Sequence, residues 1–132
     1  MNYLLDTHTF LWATMHPEQL SHDARTILLD VANDIYVSVV TFWEVSLKLA
    51  LGKLDLEGTT PEALPEAAIQ MGFTLLSLAP QDAATFYQLP RFQHKDPFDR
   101  MLVWQSICQH LTLLSKDPDL RQYQAHGLRV VW

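Results

Sequence analysis

The stretch His94-Lys95-Asp96-Pro97-Phe98-Asp99-Arg100-Met101-Leu102-Val103-Trp104-Gln105 constrains the fold more than any other part of the chain. Asp followed by Pro is a strong helix start: the carboxylate caps free N–H groups, and proline at the first helical position gives up only an orphan donor. From Phe98 onward apolar residues fall nearly all round the helix, with Met101, Leu102, Val103, Trp104, Ile107 and Cys108. Such a helix is buried on most sides. Its first turn nevertheless carries Asp96 and Asp99, whose spacing puts them on one face. Two carboxylates at the mouth of a buried helix need a positive group between them. The expectation is Mg²⁺ or Mn²⁺, with more carboxylates brought to the same point by the rest of the chain.

The composition permits this. A chain of 132 residues, 48% hydrophobic and 18% charged, reads as one domain spanning 1–132 with a real core. No apolar run reaches the ~18 residues of a membrane span, and Met-Asn-Tyr-Leu-Leu-Asp lacks the basic start and cleavage site of a signal peptide. Cys108 is the only cysteine, so no internal disulfide forms and a reducing cytoplasm is expected. The net charge of −6 argues against a basic nucleic-acid surface. Two features weaken that objection. A bound cation reverses the local sign, and Lys95, Arg100 and Lys116 fall near the proposed acids, where they could meet a phosphate backbone.

Along the chain, residues 2–5 read as a buried strand ending at Asp6, and Thr7 to Met15 as a helix that Pro17 breaks. A second helix is expected from Ser21 to about Asn33, and a strand over Ile35 to Val39. Thr41-Phe42-Trp43-Glu44 fits a capping box opening a helix to Leu51, with Gly52 as its left-handed cap. Pro61 to Met71 reads as a helix, Phe73 to Leu76 as a strand, and Pro80 to Leu89 as a helix. His110 to Leu114 and Leu128 to Val131 read as the last strands, with Asp117-Pro118 repeating the Asp-Pro helix start. Alternating strands and helices imply an α/β/α sandwich around a mainly parallel sheet, whose functional crevice lies beyond the strands' carboxyl ends. Asp6, Glu44, Asp96, Asp99 and Asp117 all belong to that edge.

Each of these acids also has a purely structural reading. Asp6, Asp96 and Asp117 can cap helices, Glu44 can pair with Lys48, and Asp99 can favour a helix dipole. Together they would repel without a counter-ion, and a hard divalent cation with oxygen ligands resolves the repulsion. Caps and ligands can be the same residues. The six histidines show no zinc spacing. His94 is expected to be a solvated loop residue, although it lies near enough to touch a phosphate. Trp12, Trp43 and Trp104 are expected in the core.

Leu-Leu-Asp6-Thr-His, Trp43-Glu44-Val with Lys48 and Gly52-Lys53-Leu, His94-Lys-Asp96-Pro-Phe-Asp99-Arg-Met-Leu and Leu-Leu-Ser115-Lys-Asp117 together resemble the PIN-domain family. More narrowly, they resemble VapC-type toxins of type II toxin–antitoxin systems. The resemblance implies a Mg²⁺-dependent ribonuclease whose acidic quartet is Asp6, Glu44, Asp99 and Asp117. It implies that Asp6, Asp99 and Asp117 hold the metal, with Asp96 as an additional acid, and that Ser115 orients the acids, with Thr7 as a further support. It also implies a homodimer and a small cognate antitoxin whose tail occupies the acidic groove. Two other classes compete. A HAD- or receiver-like phosphotransfer domain would use Asp6 and Lys116, but His8 stands where a HAD phosphatase has its second Asp. A non-catalytic binding module would keep the acids only as caps.

Overall fold

Five short parallel strands alternate with six α-helices along residues 1–132, all of which the computed structural model describes. In order these are β1 (Asn2–Leu5), α1 (Thr7–Met15), α2 (His22–Leu29), β2 (Asp34–Ser38), α3 (Val39–Ala50) and α4 (Leu64–Gln70). Then come β3 (Thr74–Leu76), α5 (Pro80–Thr85), α6 (Pro97–Cys108), β4 (Thr112–Leu114) and β5 (Arg129–Val131). The sheet order is β3-β2-β1-β4-β5, and every neighbouring pair is parallel. Tyr3 is in register with both Ile35 and Thr112. The order reverses between β1 and β4, so the crevice of such a sheet opens beside Asp6 and Ser115.

The sheet is covered on both faces, as its apolar strands require. Tyr3, Leu5, Ile35 and Val37 pack with Phe10 and Leu11 of α1, Ala24 of α2 and Ala68 of α4. Leu4, Leu113 and Val130 point the other way, against Leu102 and Val103 of α6 and Tyr123. Successive residues of β1 thus serve opposite layers. No helix is long and apolar enough to cross a membrane.

The helix starts explain where the acids go. Asp96 caps α6, its Oδ1 accepting from the N–H groups of Phe98 (2.9 Å) and Asp99 (3.2 Å). Asp117-Pro118 opens a 3-10 segment, Pro118–His126, rather than an α-helix. The Thr41–Glu44 capping box does not form. Ser38 ends β2 with an extended backbone, and its hydroxyl accepts from the N–H of Val40 at 3.0 Å. The helix therefore starts at once, and Thr41 and Glu44 lie inside it, both buried. Its far end matches expectation, with Gly52 at φ +71°. Trp43 is corrected too: it is 64% exposed and touches Phe98 only edge-on, while Trp12 and Trp104 are half-buried.

The Ser38 hydroxyl also donates to the Oε1 of buried Gln105 at 2.5 Å, tying β2 to α6. Ser38→Ala removes a cap and orphans a buried acceptor, each worth ~1 kcal/mol. Urea unfolding should show a loss of about 2 kcal/mol, read as a lower midpoint at unchanged slope.

Candidate functional site

Asp6, Asp96 and Asp117 are each held by the backbone turn they open, whereas Glu44 and Asp99 enter from within helices. Asp6 follows β1 and caps α1, its Oδ1 accepting from the Thr9 N–H at 2.9 Å. Its Oδ2 accepts from the Ser115 hydroxyl at 2.5 Å. That hydroxyl also accepts from the Asp117 N–H at 3.1 Å, so one serine links the ends of β1 and β4. Asp117 keeps its own Oδ1 on the N–H of Asp119 at 2.9 Å. Glu44 reaches in from α3, almost wholly buried. Its Oε1 accepts from the Thr7 hydroxyl at 2.6 Å, and Thr7 and Thr41 hydroxyls meet at 3.2 Å. Its Oε2 accepts from the Lys48 ammonium.

The electrostatics measure how tightly these groups converge. The Asp99 carboxyl is pushed up to about 8, first by burial and then by the charges of Asp96, Glu44, Asp6 and Asp117. Five acids from β1, α3, α6 and the end of β4 therefore share one field. Burial also pushes the Asp6 carboxyl up, against the opposing hydrogen bonds from Ser115 and Thr9. Lys48 is the one lysine or arginine ion-paired within the cluster. Burial lowers its ammonium, but the hydrogen bond and charge of Glu44, with Asp96 and Asp99, raise it further. Like charges crowded this way favour a cation among them, and carboxylate oxygens suit a hard divalent ion.

The other expected residues divide. Lys116 stands at the acids, its ammonium 5.7 Å from the centre of the Trp12 ring. Asp6, His8, Trp12, Lys116, Asp117 and Pro118 line a cleft of about 410 Å³. Lys95 is exposed on the approach to α6. Arg100 is not brought to the cluster: its guanidinium donates to the carbonyls of Leu89 (3.1 Å) and Pro90 (3.2 Å) and covers the Phe86 ring. One residue further round α6 than Asp99, it points to another side of the helix.

His94 is the residue that sequence reasoning missed. It is not a solvated loop side chain. Its ring is only 9% exposed, with Nε2 lying 3.4 Å from Asp99 Oδ2 and 3.9 Å from Asp117 Oδ2. The larger hollow, about 520 Å³, is apolar and holds none of these acids; Leu20, Leu28, Met71 and Phe73 form much of its wall.

Residues 3–125 match a family model described as the PIN domain. No curated protein matches the sequence. Among solved structures, VapBC2 from Rickettsia felis, bound to a DNA fragment from its promoter, has a TM-score of 0.70 at 12% identity, covering 99% of this chain and 98% of that one. DNA-bound VapBC from Salmonella typhimurium has 0.66 at 18%, covering 99% and 97%. FitAcB from Neisseria gonorrhoeae has 0.65 at 22%, covering 98% and 96%. At these identities the likeness is one of fold.

Proposed function

The chain belongs to the PIN domain family, and on that premise we propose that it is a metal-dependent endoribonuclease, the toxin of a toxin–antitoxin pair. The observation that carries this reading is the convergence of five acids at the sheet's switch point, where Asp6, Glu44, Asp96 and Asp117 all add to the burial that pushes the Asp99 carboxyl up. Mg²⁺ or Mn²⁺, when bound, would neutralise the cluster and supply Lewis acidity at the phosphoryl oxygen.

The chain's own residues do the rest. Asp6, Asp99 and Asp117 hold the ion, and Ser115 keeps Asp6 in its rotamer through the 2.5 Å hydrogen bond. Glu44, steadied by Thr7 and Lys48, orients the attacking water. Asp96 keeps its place as a helix cap and adds to the field that draws the cation. Lys116, at the cleft, and Lys95, on the loop, meet backbone phosphates. Attack by water on phosphorus breaks the bond to the 3′ oxygen and leaves a 5′-phosphate.

The fold likeness to VapBC and FitAcB supports a small antitoxin partner whose tail enters the acidic groove. Val39, Trp43 and Leu47, exposed along one face of α3, support association with a second copy of the chain. The purified protein should cut RNA with Mg²⁺ or Mn²⁺ and stop when a chelator is added. Asp6→Asn combined with Asp99→Asn should lower that rate by about 10³-fold or more, the equivalent of several kcal/mol of transition-state stabilisation. Cleavage that survives the double substitution ends this reading.

A further inference from the structure

Nothing in the acidic quartet requires a histidine, yet the fold goes to some length to place one. The His94 ring is nine-tenths buried just ahead of the α6 cap. Tyr123, fully buried, packs edge-on against it with ring centres 6.1 Å apart, and its hydroxyl lies 3.4 Å from Nδ1. Phe92 in turn braces Tyr123 at 5.1 Å. With Nδ1 turned to the tyrosine, Nε2 faces Asp99 and Asp117.

The distances tell what stands there. An imidazolium bonded to a carboxylate closes to about 2.7–2.9 Å, but Nε2 stops at 3.4 Å from Asp99 and 3.9 Å from Asp117. Ligand atoms sharing one small cation are set ~3–4 Å apart, wider than a charge-assisted hydrogen bond, and both separations are of that order. One donor atom from each of His94, Asp99 and Asp117 lies within 4.8 Å of the others, so the three surround a common point.

We propose that His94 Nε2 is a ligand to the ion held by Asp99 and Asp117, and that it biases the site toward Mn²⁺ over Mg²⁺. This rests on the metal-site reading above. Mn²⁺ shares the preference of Mg²⁺ for oxygen ligands, but Mg²⁺ holds its waters tightly, whereas Mn²⁺, a transition ion, accepts an imidazole nitrogen in their place more readily. Tyr123 acts through His94, fixing the ring so that Nε2 points inward.

The test uses the full chain loaded with Mn²⁺ and pulsed electron paramagnetic resonance, which detects a directly bound nitrogen as ¹⁴N echo modulation. Wild type should show the modulation, His8→Gln should keep it, and His94→Gln should lose it. Calorimetric titration should show Mn²⁺ affinity falling about tenfold or more in His94→Gln, on the scale of lost coordination partners, with Mg²⁺ affinity changed far less. Tyr123→Phe should keep the nitrogen signal at weaker affinity. The wild-type and His8→Gln spectra together decide even if His94→Gln fails to fold. Bound Mn²⁺ without nitrogen modulation, or modulation that His8→Gln abolishes, overturns the proposal and leaves the nuclease site intact. Failure of wild type to bind either ion overturns both.

Discussion

Asp99→Asn should stabilise the metal-free protein at pH 8 while abolishing its cleavage of RNA. The stabilisation comes from linkage. In the unfolded chain an aspartate titrates near 3.9, whereas burial and four neighbouring acids hold Asp99 up at about 8 in the fold. Between those values the folded state binds more protons than the unfolded state, so stability falls as pH rises from about 4 to about 8. Asparagine carries no charge to be repelled and escapes this loss. Losing a favourable helix-dipole charge at this partly buried site costs up to ~2 kcal/mol, against a linkage effect of several kcal/mol. The variant should therefore melt about 10 °C higher at pH 8, with the gap closing toward pH 4. Millimolar Mg²⁺ or Mn²⁺ should narrow the gap at pH 8 by binding wild type alone. Cleavage should drop about 10³-fold if, as proposed, the same carboxylate holds the ion. A melting temperature at pH 8 that is unchanged or lower would show that Asp99 carries no such strain.

The part of the molecule legible in the sequence is the part that depends on local rules. Asp96-Pro97 and Asp117-Pro118 each cap the segment they open, and alternating strands with helices put those starts at one edge. The Thr41–Glu44 spacing obeys a local rule as well, but Ser38 has already begun the helix, which turns Glu44 inward to Thr7 and Lys48. Arg100 groups with the acids by proximity along the chain, whereas a step of about 100° round the helix carries it to Phe86. His94 stands in a polar loop with no periodicity, and only its packing on Tyr123, 29 residues away, makes it part of the site. Trp43 is expected inside because it is large and apolar. It lies on the outward side of α3, where only the edge contact with Phe98 touches it and most of the ring stays exposed. Long-range packing decides each of these, and no pattern within a short window encodes it.

Lys48→Met should destabilise the metal-free protein by roughly 2 kcal/mol, less than for a fully buried ion pair because only the carboxylate side is buried. Glu44 is almost fully buried, and Lys48 is the one lysine or arginine paired with it. Without the ammonium, Oε2 loses its donor, and Asp96 and Asp99 lose an opposing charge. Methionine preserves most of the side chain's apolar bulk, so the loss reports charge. Lys48→Arg should recover part of the stability by keeping the charge, with a different geometry. The deciding variant is Lys48→Met with Glu44→Gln, which removes both charges at once. If the pair acts as a unit, the double substitution should cost less than the sum of the two single ones by roughly 1 kcal/mol or more. Additive costs in urea unfolding would mean that Glu44 is stabilised by Thr7 alone. Strong coupling would mean that Lys48 and Thr7 together hold the Glu44 carboxyl in its buried place on α3.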